Sequence, residues 1–311
     1  MTFIEQSCLP YLTGTQNEDG GWGFKPGATS RVEPTAWALL ALQEFFSAGS
    51  SEKSVGGGLR FLQASQLPDG SWPAAPAQRT GSWVTSLACW ALLANPQSNQ
   101  MLERGLQWLS DEWPGDSKKW WRFVRALTAG RSKTGQNDSY SGWSWTPGTA
   151  SWVEPTSYAI IVLRSRAKSL PAKARRRLHV AKAMLYDRMC PGGGWNCGNP
   201  VVYGVAGEAQ IDPTVWALLA LQGDAGQAKI QLSLDWLEQR AAGLQSPGSL
   251  ALTYVALDAY GRTASAANLS PRISDQRNEL LWNVPVVAWT ALTASSKKNW
   301  LAVTRPEKET A

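Results

Sequence analysis

The chain has 311 residues, of which 43% are hydrophobic and 17% are charged, so it can bury a large core. Its formal net charge of +6 comes without any nucleic-acid reading motif, which argues against a nucleic-acid partner. The chain carries 18 Trp, which indicates large apolar surfaces. A single His and four scattered Cys supply too few ligands for a zinc site.

In chain order, six amphipathic segments with apolar residues at helical spacing predict outer helices. They lie at 3–16, 53–66, 98–111, 118–130, 172–189 and 227–241. Most are followed by a turn that joins one or more glycines to an aromatic residue, ending at Trp22, Trp72, Trp143 and Trp195. Glycine supplies the positive φ that a tight turn needs.

A very apolar helix follows each of these turns, and three of these helices align without gaps. The aligned segments are 31–42, 152–163 and 210–221, and degenerate relatives begin near Ser86, Ser249 and Pro285. Helices that are apolar nearly all round must be buried on several faces, which a ring of helical hairpins achieves. The sequence therefore predicts an all-α (α/α)6 toroid of hairpin repeats.

We expect one domain over residues 1–311, with the repeats at about 3–295 and a C-terminal tail at about 296–311. No apolar run approaches 18 residues and the N-terminus lacks the pattern of a signal peptide, so the sequence predicts a cytoplasmic protein. The basic stretch 173–188 is expected to form a solvated helix face. A peripheral contact with anionic lipid at the inner membrane surface is the alternative.

The segment from Gly58 to Trp72 resembles the QW repeat of squalene–hopene cyclases and related class II terpene cyclases. The resemblance covers about 3–295, and full triterpene cyclases have two such domains. It implies an isoprenoid or polyene ligand and acid-initiated cyclisation or isomerisation in an aromatic-lined cavity. No metal or cofactor is implied, since the sequence contains no DDxxD run.

The acid motif of that family, Asp-x-Asp-Asp-Thr-Ala, aligns with the starts of the three matching helices. The middle acid, which is the proton donor in the family, falls on Glu33, Glu154 and Asp212. The flanking acids of the motif are replaced in all three copies, so no intact motif exists. The lead-in before Asp212 is the most similar, and the resemblance favours this residue if only one carboxyl acts.

These carboxylates also have a structural interpretation, because Asp212 before Pro213 is typical of a helix N-cap. A helix N-terminus lowers a carboxyl pKa, whereas burial or a second carboxylate raises it. If the inner helices point the same way, the three acids converge on one apolar chamber. The aromatic residues expected to line it are Trp37, Trp145, Trp152, Tyr158, Trp195, Tyr203 and Trp216.

Two further functions fit the same pattern. A non-catalytic isoprenoid- or lipid-binding toroid would use these carboxylates only at helix starts. A carbohydrate-active α/α toroid would place sugars on Trp faces and cleave them with two carboxyl groups. A protein prenyltransferase subunit is disfavoured because its Asp, Cys and His zinc ligands are missing.

Overall fold

The computed structural model describes residues 3–45, 50–95, 98–115, 136–137, 139–202, 204–275, 283–295 and 300. These residues form α-helices and connecting turns, with one two-stranded antiparallel hairpin of β1 (Val201–Val202) and β2 (Val205–Ala206). The all-α class predicted from the sequence is confirmed. The chain divides into two compact units.

The first unit comprises Met1–Leu109, Leu244–Asp258 and Arg262–Ala302. A short π-helical turn at Ile4–Cys8 leads into its first helix. Its helices among the described residues are α1 (Leu9–Gly14), α2 (Val32–Glu44), α3 (Ser50–Ser65), α4 (Val84–Leu92), α5 (Asn99–Asp111), α10 (Pro247–Ala259), α11 (Thr263–Ala267), α12 (Ser270–Asp275) and α13 (Val284–Thr293). Here α2 packs against α4 on one side and α13 on the other.

The second unit comprises Ser110–Gly243, Ala259–Gly261 and Val303–Ala311. Its described helices are α6 (Val153–Arg164), α7 (Ala172–Asp187), α8 (Ile211–Ala220) and α9 (Ala228–Ala241). The two apolar helices α6 and α8 pack against each other, with α7 against α6 and α9 against α8.

All six predicted inner segments are helices, namely α2, α4, α6, α8, α10 and α13. Their Ala- and Leu-rich sequences are buried on nearly every face, as in α4, where all nine residues are buried. The outer segments 3–16, 53–66, 98–111, 172–189 and 227–241 are helical within a few residues of the predicted bounds. The segment 118–130 lies outside the described residues, and the single domain over 1–311 stays a prediction.

Three of the Gly-Trp turns are tied to the helices on both sides by the same pair of hydrogen bonds, and the fourth shares the bond to the inner helix. Trp22 donates its indole N–H to Leu12 O (2.6 Å) and its backbone N–H to Thr35 Oγ1 (2.9 Å). Equivalent pairs of bonds join Trp72 to Leu62 and Thr85, and Trp195 to Leu185 and Thr214. Trp143 likewise donates its backbone N–H to Thr156 Oγ1 (2.9 Å). Each threonine therefore connects a turn to the first helical turn of an inner helix.

The glutamine before the turn links one hairpin to the next. Gln16 donates through Nε2 to Gly20 O and to Ser54 O, both at 2.8 Å. Gln66 makes the matching pair of bonds to Gly70 O and Met101 O. Each glutamine therefore joins its own turn to the outer helix of the next hairpin.

Candidate active site

The three predicted acids occupy the same position, the second residue of an inner helix. The helices begin at Val32, Val153 and Ile211, so that Glu33, Glu154 and Asp212 each lie one residue inside. The predicted N-cap role of Asp212 is therefore wrong. The N-cap is Gln210, whose side chain makes no capping bond, and Pro213 is the third helical residue.

The backbone of the preceding turn explains this helix start. Gln210 is extended and donates its N–H to Trp195 O (2.8 Å). Arg31 and Trp152 do the same to Trp22 and Trp143. An extended residue paired to the turn cannot be the first helical residue, so the helix begins one position later.

An acid at this position is not required for a helix to form. The residue two places before Thr85 is Trp83, which is the N-cap of α4, because this helix begins at Val84. The Thr85 bond to the turn is nevertheless intact. One repeat thus keeps its turn and its inner helix without a carboxylate at this place, although its helix begins later.

In the second unit, Glu154 and Asp212 influence each other. They lie at equivalent positions of α6 and α8, which pack together, and both side chains are partly buried. Burial, and in second place the negative charge of Asp212, raise the pKa of Glu154 from 4.5 to about 7. These effects outweigh the opposite effect of the helix N-terminus. A substantial fraction of Glu154 thus carries a proton near neutral pH, as a general acid requires.

The loop between Trp195 and Gln210 lies beside Glu154. Val153 donates its N–H to Cys197 O (3.0 Å), and the Cys197 thiol donates to Gln210 Oε1 (3.2 Å). Burial, and then the charge of Glu154, raise the pKa of the Cys197 thiol. Nothing in the sequence pattern pointed to Cys197, because its spacing to the other cysteines matches no known motif.

Two of the predicted aromatic residues, Trp145 and Trp152, are at least partly exposed to solvent. Trp152, two residues before Glu154, is 38% exposed. A Cβ on Gly198 would lie 3.4 Å from its ring, so a glycine lets the loop approach the indole closely. Trp145 is partly buried. Tyr203 lies outside the described residues, and its predicted role stays a prediction.

The other predicted aromatic residues are buried in protein contacts. Tyr158 and Trp216 form an edge-to-face pair with ring centroids 5.0 Å apart and are 5% and 1% exposed. Trp37, in the first unit, packs edge to face against Trp90 and Trp289. Trp195 is fully buried and makes the turn bonds described above. These contacts are with other protein groups, and the predicted part of these four residues in lining a ligand cavity stays a prediction.

The predicted solvated face of the basic stretch is only partly correct. Lys173, Arg175 and Arg176 are exposed, but Arg177 is fully buried and Arg188 is 4% exposed. The Arg177 guanidinium lies 3.9 Å from the Trp143 ring centroid and 4.3 Å from that of Trp113. It also donates to Gly142 O (3.0 Å) and lies 3.6 Å from the Glu112 carboxylate.

Other charges of this stretch are paired. Lys173 contacts Asp111 at 2.5 Å, and Lys182 contacts Asp224 at 2.6 Å. These pairs leave few of its positive charges available for a lipid headgroup.

In the part of the chain that the structure describes, no group of three or more His, Cys, Asp and Glu side chains could hold a metal ion. In the same part, none of the helices has the length and apolar character needed to cross a bilayer.

Comparison with known proteins shows which fold this is. The type II terpene cyclase MstE from Scytonema, in complex with geranylgeranyl dihydroxybenzoate, superposes with a TM-score of 0.59 at 16% identity, over 89% of this chain and 78% of the other. An α-1,6-mannanase of Salegentibacter bound to α-1,6-mannotriose superposes with a TM-score of 0.57 at 10% identity, over 93% of this chain and 98% of the other. The chain therefore has a type II terpene cyclase-like α/α fold.

In sequence, drimenyl diphosphate synthase of Streptantibioticus cattleyicolor is 38% identical over 74 residues. The match spans 24% of this chain and only 13% of that relative. No family model matches the chain.

Proposed function

We propose that this protein acts on an isoprenoid and starts a cyclisation or an isomerisation by protonating a carbon–carbon double bond or an epoxide. Glu154 donates the proton, and Asp212 is the neighbouring carboxylate that holds this proton on Glu154. The observation that carries the proposal is the raised pKa of Glu154 beside Asp212, in a fold shared with a type II terpene cyclase. The partial match to drimenyl diphosphate synthase adds support.

The protonation state explains why Glu154, rather than Asp212, is proposed as the donor. A glutamic acid with the usual pKa of 4.5 is almost fully ionised at pH 7, whereas a pKa of about 7 leaves about half of the molecules protonated. This raises the population of the acid form roughly 100-fold or more. The resemblance favoured Asp212, but the charge of Asp212 acts here on the proton of its neighbour.

The proposed step is balanced within the substrate and the two acids. The π electrons of the alkene form a new C–H bond with the Glu154 proton, and positive charge develops on the adjacent carbon. Loss of a proton from a neighbouring carbon to a carboxylate or to water ends the reaction and leaves an isomer of the substrate. An exposed indole such as that of Trp152 would stabilise the cation by roughly 0.5–2 kcal/mol. Trp145, seven residues earlier in the sequence, is the second candidate for this role.

The test is turnover in D2O of linear prenyl diphosphates of 15 and 20 carbons, their alcohols and their terminal epoxides, followed by mass spectrometry of the products. We expect an isomeric product with one deuterium at the protonated carbon. Glu154→Gln should lower kcat by roughly 100-fold or more, because the acid is lost. Wild-type turnover retained in Glu154→Gln would rule out Glu154 as the donor.

Glu33→Gln is the matched control, since it makes the same change at the same helix position in the first unit. The predicted convergence of Glu33 with the other two acids stays a prediction. Loss of turnover in Glu33→Gln alone would move the proposed donor to the first unit. If the wild type binds a prenyl ligand but converts none, and Glu154→Gln binds it equally well, the protein is a carrier and not an enzyme.

A second candidate function is glycoside hydrolysis. A pair of interacting carboxyl groups, one of them protonated near pH 7, is also the apparatus that cleaves a glycosidic bond. The structural likeness to the α-1,6-mannanase covers nearly all of that chain, so an α/α fold of this kind is compatible with glycoside hydrolysis. Release of mannose from α-1,6-mannotriose by the wild type but not by Glu154→Gln would favour this function over the first.

A further inference from the structure

A cavity lies in the first unit, and neither Glu154 nor Asp212 lines it. It has a volume of about 180 Å³ and opens between the first and second Gly-Trp turns. Its apolar walls come from Val32, Phe61, Pro73, Ala75 and Pro76. An apolar protein cavity of roughly 150 Å³ is large enough to take up benzene. The cavity therefore has room for a ring-sized apolar group.

The lining also carries one cation, Arg31. None of the ion pairs among the described residues involves this guanidinium. Arg31 is the N-cap of α2, so its backbone is fixed by the bond from its N–H to Trp22 O (2.9 Å). A guanidinium at the edge of an apolar cavity is suited to a carboxylate, which it can bind through two parallel hydrogen bonds.

Asp19 is the one acidic residue of the lining. It is exposed, and its Oδ1 accepts from the Gly21 N–H (2.9 Å) and the Ser30 hydroxyl (2.7 Å). These donors offset part of its charge and hold it in the turn. Asp19 therefore weakens the attraction for an anion without excluding one.

The next repeat carries different residues at the same places. Counting from the threonine of each turn, Gly81 corresponds to Arg31, and Trp108 on α5 corresponds to Phe61 on α3. Trp108 packs directly on Gly81, since a Cβ there would lie 2.8 Å from its ring. The combination of a cation with a smaller aromatic ring, Arg31 with Phe61, is therefore absent at these places of the second repeat.

We propose that this cavity is a binding site for a small aromatic carboxylate, with the ring against Phe61 and the carboxylate on Arg31. A phosphate would need more donors than this one cation and would leave the apolar walls unused. The site is independent of the function proposed for Glu154 and Asp212.

The probe is 4-trifluoromethylbenzoate, followed by ¹⁹F NMR during titration with the full chain. For a ligand of this size we expect a dissociation constant on the order of 1 mM or below. The neutral analogue 4-trifluoromethylbenzyl alcohol should bind roughly tenfold more weakly, because it lacks the charge. Equal binding of acid and alcohol, or no binding of the acid by the wild type, would overturn the proposal.

Three variants test the residues. Arg31→Gln should weaken binding of the acid roughly tenfold while leaving the alcohol unchanged, and Arg31→Lys should recover part of the loss. Phe61→Trp, which copies the second repeat, should remove binding of both compounds. Asp19→Asn keeps the Oδ1 acceptor and should strengthen binding of the acid. Circular dichroism of each variant checks folding, and folded Arg31→Gln with wild-type affinity for the acid would contradict the site.

Discussion

Asp212 raises the pKa of Glu154 across the contact between α6 and α8, although the two residues are 58 positions apart in the sequence. Both are the second residue of their helix. The repeat therefore places two like charges near each other simply by presenting the same position twice. This arrangement has consequences for stability that do not depend on any substrate.

Protein stability should fall as the pH rises from about 4.5 to about 7. Below this window Glu154 is protonated in both the folded and the unfolded chain, and within it the folded chain holds more protons, so the free energy of unfolding decreases with pH. The loss at pH 8 is at most about 3 kcal/mol. Glu154→Gln should remove it, which makes the variant more stable than the wild type at pH 8 and similar at pH 4. Urea unfolding at a series of pH values measures this, with Glu33→Gln as the control.

Asp212→Asn should shift that pH window to lower values. The substitution removes one of the two causes that raise the pKa of Glu154 and leaves burial, the larger cause, in place. The midpoint of the stability change should therefore move towards acid without reaching the usual value for glutamate. An unchanged midpoint in urea unfolding of Asp212→Asn would show that the two carboxylates do not interact.

Cys197 should report on the charge of Glu154. The ionised carboxylate contributes to the raised pKa of the thiol, after burial, and a raised pKa slows alkylation. At pH 8.5 we expect Glu154→Gln to react with iodoacetamide roughly twofold faster than the wild type. Mass spectrometry of the Cys197 peptide gives the rate, and the buried thiols Cys8 and Cys89 serve as internal controls. A slower reaction in the variant would contradict the predicted direction.

Arg177 should be important for the stability of the second unit. It is fully buried between the rings of Trp113 and Trp143 and near Glu112, so its loss leaves a carboxylate without this cation in a largely buried place. Arg177→Met should destabilise the protein by about 3–5 kcal/mol in urea unfolding. Arg177→Lys keeps the charge but not the planar group and should cost less. If Arg177→Met left the free energy of unfolding unchanged, the stacking and the ion pair would contribute little to stability.

The threonine of each turn should contribute a similar amount in every repeat. Thr214→Val removes the acceptor of the Trp195 backbone N–H and leaves that buried donor unpaired, which costs about 1–3 kcal/mol. Thr85→Val makes the same change in a repeat that has no acid, so the two values should agree. A much larger loss of stability in Thr214→Val than in Thr85→Val would indicate that the Thr214 hydroxyl makes a further stabilising contact besides its bond to the turn.

The helices and turns were predictable because each depends on local sequence. An Ala- and Leu-rich run such as α8 can only be a buried helix, and the glycines before Trp195 can only be a turn. The helix start at Ile211 was misplaced by two residues, because it is set by a backbone bond from Gln210 to Trp195 and not by a side-chain cap at Asp212.

The properties of the site depend on residues distant in the sequence, which periodicity does not reveal. The position of Glu154 was predicted, but its pKa arises from burial and from another helix. The same holds for Arg177. Its basic sequence neighbours predict an exposed position, whereas the rings of Trp113 and Trp143, which are distant in the sequence, cover it.

The bond between a Trp N–H and a threonine hydroxyl separates two tasks within one short motif. Thr35, Thr85, Thr156 and Thr214 hold the scaffold, while the residue two places earlier varies from Glu33 to Trp83 without loss of the fold. Reactive groups could therefore move from one repeat to another by single substitutions during evolution. The same interchangeability makes Trp83 a natural position at which to install an additional acid by design.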